Sequence, residues 1–306
     1  MQQHREALAR AAVLEQTAQI PRGLELVDAV LADPETAAYE PLRAEALLRK
    51  GGLQMRDGAW SAALQSFEEA LWTALGIDHA PVAAQASSRR GFLLATPLTR
   101  PEQALADLPM ITALNRRVQQ DVELRAEFFV NAGTIHLQVR DFERARRSWQ
   151  EAIALLEAHG RLETPLGINA LANTAILELE TERLEEAVTS LRRVVEVSER
   201  IMGPRQPERA NFEGVLSGAL IDLGRPREAL ARMRALDVRI DDVQSKGARF
   251  VATLMLARAE MMAGAPREAL ARMAALRRTE PALFGPVYAP MVMLAAALAD
   301  DAAAVR

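Results

Sequence analysis

Histidines and paired carboxylates are the side chains most able to do acid–base or metal chemistry at neutral pH. This chain has His4, His79, His136 and His159, and none stands at a ligand spacing such as His-Glu-x-x-His. The acid pairs Asp241-Asp242 and Asp300-Asp301 have no neighbouring histidine or apolar run to raise a carboxyl pKa, so they read as solvated carboxylates. There is no cysteine, which excludes a thiol nucleophile, a disulfide scaffold and any cysteine-held metal. Neither Gly-x-x-x-x-Gly-Lys-Ser/Thr nor Gly-x-Gly-x-x-Gly occurs, so no phosphate cradle is encoded. The expectation is a chain that is not an enzyme and needs no cofactor or metal. What remains is arginine: 35 of the 37 basic residues are Arg, the others being Lys50 and Lys246. Any anion site here is therefore a planar, two-pronged guanidinium site.

The elements that must position these side chains are helical. Half of the 306 residues are hydrophobic, a quarter are charged, 4% are aromatic, and Ala alone accounts for 58. Such a chain is too apolar to be disordered and strongly favours helix. A net charge of −4 gives no electrostatic footprint for nucleic acid. The N-terminus lacks the apolar core of a signal peptide, and no run of about 18 uncharged apolar residues exists to span a membrane. We expect a cytoplasmic chain with no nucleic-acid or membrane partner.

One pattern recurs with little drift. A small residue opens every second helix at Gly23, Ala63, Ala104, Ala145, Ala187, Ala229 and Ala269, at intervals of 40, 41, 41, 42, 42 and 40. The helix before it carries small or apolar residues at i, i+3, i+4 and i+7, as in Phe129, Ala132, Gly133 and His136. Between the two come Asp57-Gly58, Gly224-Arg-Pro226 or Gly264-Ala-Pro266, where Gly ends the first helix and Pro starts the second. Gly51 and Gly133 are expected to oppose Ala63 and Ala145, so that the two backbones approach closely. Trp60, Phe67, Phe142 and Trp149 are expected in core slots. One such hairpin cannot bury its own apolar face, so neighbours must stack into an α-solenoid.

Gly51…Trp60…Ala63…Phe67…Ala70 and Gly133…Phe142…Ala145…Trp149…Ala152 resemble the tetratricopeptide repeat. The period near 41 is similar to the long variety of kinesin light chains, and Ile201-Met-Gly-Pro-Arg-Gln-Pro-Glu-Arg-Ala210 is similar to the linker of those arrays. The irregular early repeats look like the C-terminal arrays of bacterial serine/threonine kinases and related signalling proteins, although no kinase motif is present. The resemblance implies an all-α, right-handed superhelical solenoid in one domain over 1–306. Its repeats fall at about 4–37, 44–77, 84–118, 126–159, 168–201, 210–243 and 250–283, followed by a terminal helix at about 287–305. That last helix either caps repeat seven, begins an eighth, or pairs two copies into a homodimer.

The resemblance also implies that first helices line a concave groove with their second, fifth, sixth, ninth, twelfth and thirteenth residues. These include Leu48, Arg49, Met55 and Arg56, then Gln85, Ser88, Arg89 and Phe92, then Glu127, Val130, Asn131, Thr134 and Gln138. Further along come Asn169, Asn173, Ile176 and Glu180, then Val215, Ile221, Leu254, Met255, Met261 and Met262. The groove thus grades from Arg- and Asn-bearing to Met-rich. Arg49, Arg89, Asn131 and Asn173 hold the sixth position, where the family clamps peptide backbones or carboxylates; the family's clamp lysines are absent. Arg56, Phe92, Gln138, Met255 and Met262 complete the candidate set. The Arg clusters at 144–147, 192–193 and 277–278 read as surface ion pairs with acids such as Glu143, Glu151 and Glu196. The implied function is a protein- or peptide-binding scaffold in bacterial signalling. Its rivals are a regulatory domain holding a kinase, protease or other effector in cis or in trans, a self-assembling structural protein, and an unrecognised helical enzyme.

Overall fold

A computed structural model describes residues 2–16, 19–202, 207–237, 246–280 and 289–304. Asp241-Asp242, residues 203–206 of the linker and the side chain of Asp301 lie outside that set. Among the described residues sixteen α-helices follow one another. They form two compact units, 1–162 and 163–306. Unit 1 holds α1 (Gln2–Gln16), α2 (Ile20–Ala32), the short α3 (Pro34–Ala38), α4 (Glu40–Arg56), α5 (Trp60–Gly76), α6 (Ala80–Ala95), α7 (Pro101–Asn115), α8 (Val122–Gln138) and α9 (Phe142–Ala158). Unit 2 holds α10 (Pro165–Glu180), α11 (Leu184–Met202), α12 (Pro207–Asp222), α13 (Pro226–Asp237), α14 (Lys246–Met262), α15 (Pro266–Thr279) and α16 (Ala289–Ala304). The helices pair as antiparallel hairpins, and the fold is an all-α helical-repeat solenoid.

The turn inside each hairpin is more regular than its sequence. In the six hairpins after the first, the residue five before the small opener of the second helix has a left-handed backbone: Gly58, Thr99, Arg140, Glu182, Gly224 and Gly264, with φ of 79°, 51°, 60°, 58°, 80° and 93°. Three of these positions have the glycine that such a backbone favours. The other three carry a Cβ strained by about 1–2 kcal/mol. The helix that follows starts on Pro at Pro101, Pro226 and Pro266, or on the capping carboxylate of Asp141, whose Oδ1 accepts the Arg144 amide at 3.1 Å.

The small openers Ala63, Ala104, Ala145, Ala187, Ala229 and Ala269 are all fully buried. The expected apposition of glycine on alanine is corrected: Gly51 and Gly133 face aromatic rings. A Cβ at 51 would stand 2.6 Å from the Phe67 ring, and one at 133 would stand 2.3 Å from Trp149 Nε1. The glycines make a seat for the aromatic one turn into the second helix, and Trp149 Nε1 donates to the Val130 carbonyl at 3.0 Å. Trp60 is also corrected. It is 38% exposed at the start of α5, whereas Phe67 and Trp149 are fully buried. Phe142 is half-buried, with the Arg140 guanidinium 5.4 Å from its ring centre.

In unit 2 the core runs through Val188, Leu191, Leu216, Leu220, Met233 and Leu256. The far side of α14 and α15 is covered by α16, whose Ala295 packs on Phe250, Leu254 and Met273. Among the described residues no helix is long and apolar enough to cross a membrane.

Candidate functional site

In unit 1 the first helices α1, α4, α6 and α8 turn one face outward from the hairpin cores, and that face is cross-linked by charge. Glu15 on α1 accepts from Arg49 on α4 at 2.8 Å. Arg89 on α6 donates through Nε to Glu127 on α8 at 2.6 Å, and Gln85 donates to the other Glu127 oxygen at 2.8 Å. Gly52 makes room for this traffic, since a Cβ there would stand 3.2 Å from both Arg89 Nη1 and Glu15 Oε1. Burial of Arg89 disfavours its charge, but the field and hydrogen bond of Glu127, aided by Glu15, outweigh burial and raise its pKa. Asn131 donates to Ser88 Oγ at 3.0 Å. The sixth-position residues Arg49, Arg89 and Asn131 are therefore brought together, each spent on a neighbouring helix. Phe92 is half-buried among them, packed with Phe67 and Leu93. Arg56 and Gln138 are exposed at the ends of α4 and α8, outside the network.

Unit 2 treats the same positions differently. Between α12 and α14 lies an open cleft of about 350 Å³, lined by Asn211, Gly214, Val215, Gly218, Val251, Met255 and Arg258. Its floor is glycine because α14 comes close: a Cβ at 214 would meet Met255 Cγ at 3.3 Å, and one at 218 would meet Arg258 Nη1 at 3.4 Å. Val215, Val251 and Met262 are exposed, as is Ile176 on α10. Arg258 is held by Asp222 at 2.7 Å. Among the described residues the side-chain amides of Asn173 and Asn211 have no hydrogen-bond partner. Of the expected groove residues, Val130, Ile221, Leu254 and Met261 are buried instead, turned into the hairpin cores.

A second polar system went unread in the sequence. In four hairpins the residue three after the small opener bonds back to the first helix: Ser66 to Gln54 at 2.7 Å, Asp107 to Arg90, Arg232 to Glu213 at 3.0 Å, and Arg272 to Glu260 at 3.0 Å. The signal was a polar residue at that register, Ser66, Asp107, Ser148, Ser190, Arg232 and Arg272. In the fourth hairpin Ser148 donates to the Arg144 carbonyl instead, and His136 Nδ1 stays buried and unpaired, as does Glu178 Oε2 in the fifth. Burial lowers the pKa of His136, opposed by Asp141 and reinforced by Arg144 and Arg147. Two of the three Arg clusters form surface ion pairs, with Glu143 for Arg146 and with Glu228 on the next hairpin for Arg192. Among the described residues no group of three or more acids and histidines is arranged to hold a metal.

Glycine-seated aromatics, left-handed turns and stacked antiparallel hairpins define a class, the tetratricopeptide-type helical repeats, with the kinesin-light-chain-like variety among its members. Solved structures bear this out at the level of fold. The chain is similar to a signal transduction ATPase with numerous domains and a tetratricopeptide repeat sensor from Pyrococcus horikoshii, with TM-score 0.69 and 14% identity over 95% of this chain and 44% of that one. It is similar to a Rap protein complexed with Competence and Sporulation Factor, with TM-score 0.64 and 15% identity over 97% of this chain and 76% of that one. It is similar too to putative kinesin light chain nearly identical TPR-like repeats of Podosopora anserina, with TM-score 0.58 and 16% identity over 65% of this chain and 95% of that one. No protein-family model matches the chain. No curated protein matches it either.

Proposed function

We propose that the chain is a non-catalytic protein- or peptide-binding scaffold, working in the cytoplasm in bacterial signalling, and that its binding surface is centred on the α12–α14 cleft. The observation that carries this reading is the cleft itself: apolar walls, a glycine floor, and the Asn211 amide unspent on the chain's own backbone. Asparagine offers a donor and an acceptor to an extended main chain. A leucine-sized side chain seated between Val215, Val251 and Met255 would gain about 1.5–3 kcal/mol from burial. Methionine walls adapt to more than one such side chain. The fold is shared with a Rap protein solved with a bound factor, which supports the reading.

The test is to pan a random peptide display library on the purified chain and on a Gly214→Leu variant, in which the new side chain fills the cleft. Peptides with an apolar anchor should be enriched by the parent and not by the filled variant. Equal enrichment by both would remove the cleft from the function. A second reading is favoured by the likeness to a protein described as having a tetratricopeptide repeat sensor. In it the chain is the sensing region that restrains a kinase or other effector in cis or in trans. Its mark is an effector activity that changes when the cleft is filled, and an unchanged activity ends it.

A further inference from the structure

Two further surfaces share no residue with that cleft. Between α1 and α2 runs a groove of about 550 Å³ lined by Arg10, Val13, Leu14, Arg22, Glu25 and Leu26. Val13 is 58% exposed in it, and two cations stand against one anion. On α16 the buried side is Ala295 and Ala299, while the opposite side shows Met293, 71% exposed, and Leu294, 48% exposed. Ala297 and Asp300 are exposed as well. Residues 293, 294, 297 and 300 follow the i, i+1, i+4, i+7 spacing, so they form one stripe with an acid at its C-terminal end. An acid there meets the negative pole of its own helix, which an external cation would relieve.

We propose that α16 of one copy seats in the α1–α2 groove of a second copy. Met293 and Leu294 meet Val13, Leu14 and Leu26, and Asp300 faces Arg10 and Arg22. Charge selects this pairing over those of like with like. Two α16 helices paired in parallel would set Asp300 near Asp300, and two α1–α2 grooves face to face would bring together four arginines and only two glutamates. Each copy carries both a groove and a stripe, so two copies seated reciprocally close a pair and copies seated one way form a chain. This self-association uses neither the α12–α14 cleft nor its ligand, so it stands or falls independently of the proposed binding function.

Sedimentation velocity over a wide range of concentration tests it, with circular dichroism to confirm folding. The parent should rise from the 33.5 kDa of one chain as concentration increases. Val13→Glu and Met293→Glu should each weaken association at least about tenfold, as loss of a central apolar anchor does. Mixed in equal amounts, the two variants retain one intact joint, the α16 of the first in the groove of the second. They should form particles of two chains and no larger. A parent that stays at one chain throughout overturns the proposal. So does a mixture no better associated than its parts, the result expected of symmetric α16–α16 pairing. Should a Glu variant fail to fold, Val13→Gln and Met293→Gln serve in its place.

Discussion

Units 1 and 2 repeat the same hairpin but furnish the outward face of the first helices differently. In unit 1 the outward face of the first helices is fastened across repeats by Glu15–Arg49, Arg89–Glu127 and Asn131–Ser88. In unit 2 the bidentate pairs Glu213–Arg232 and Glu260–Arg272 lie inside their own hairpins, and the outward face between α12 and α14 is mostly glycine, valine and methionine, with Arg258–Asp222 the cross-repeat pair at its rim. The backbone geometry does not dictate which face is fastened. A repeat can place its charges between neighbours, where they fix register, or within itself, where they leave the shared surface open to a ligand.

That contrast can be broken by measurement. The largest effect expected is on what the two units have in common. Trp149→Ala removes an aromatic seated on Gly133 and should cost about 3–5 kcal/mol in denaturant unfolding. Next is the difference itself. Glu127→Ala strands a buried Arg89 and should cost about 3 kcal/mol, while Arg258→Ala, at the rim of the open cleft, should stay within about 1 kcal/mol. Equal costs would end the distinction between a fastened and an open face. A smaller change tests the turns: Glu182→Gly relieves a left-handed side chain and should raise stability by about 0.5–1 kcal/mol.

The smallest effect is pH-dependent. Burial holds the folded His136 pKa below 6.5, so in the window beneath that value the unfolded chain binds the extra proton. Stability is full above the window and falls as the pH drops through it. His136→Gln, which copies the Gln54 and Ser66 arrangement with Ser148 as partner, should flatten that part of the melting-temperature profile. A profile unchanged by the substitution would place the acid sensitivity elsewhere.

The repeat was legible because its period is written in buried small residues, which no other side chain can replace without moving a helix. Gly51 and Gly133 were legible as close contacts, but not what they contact. A glycine records that something comes near, and only the fold shows that it is an aromatic from one turn further on. The sixth-position residues were legible as a set, yet Arg49 and Arg89 proved to be bound within the chain. Their carboxylate partners lie 34 and 38 residues away, and no local spacing announces them. The left-handed backbone at Thr99, Arg140 and Glu182 was equally hidden, since neighbouring structure imposes it against the residue's own preference.

The ion-paired fastenings Glu15–Arg49 and Arg89–Glu127 of unit 1 both use a guanidinium. A guanidinium keeps its proton to beyond about pH 12 and is a poor target for acylating or aldehyde chemistry. Lys50, tied to Asp28 at 2.8 Å, is the one side-chain amine that unit 1 exposes to such reagents. Amine-directed labelling and alkaline buffers should therefore leave the Arg49 and Arg89 cross-links intact.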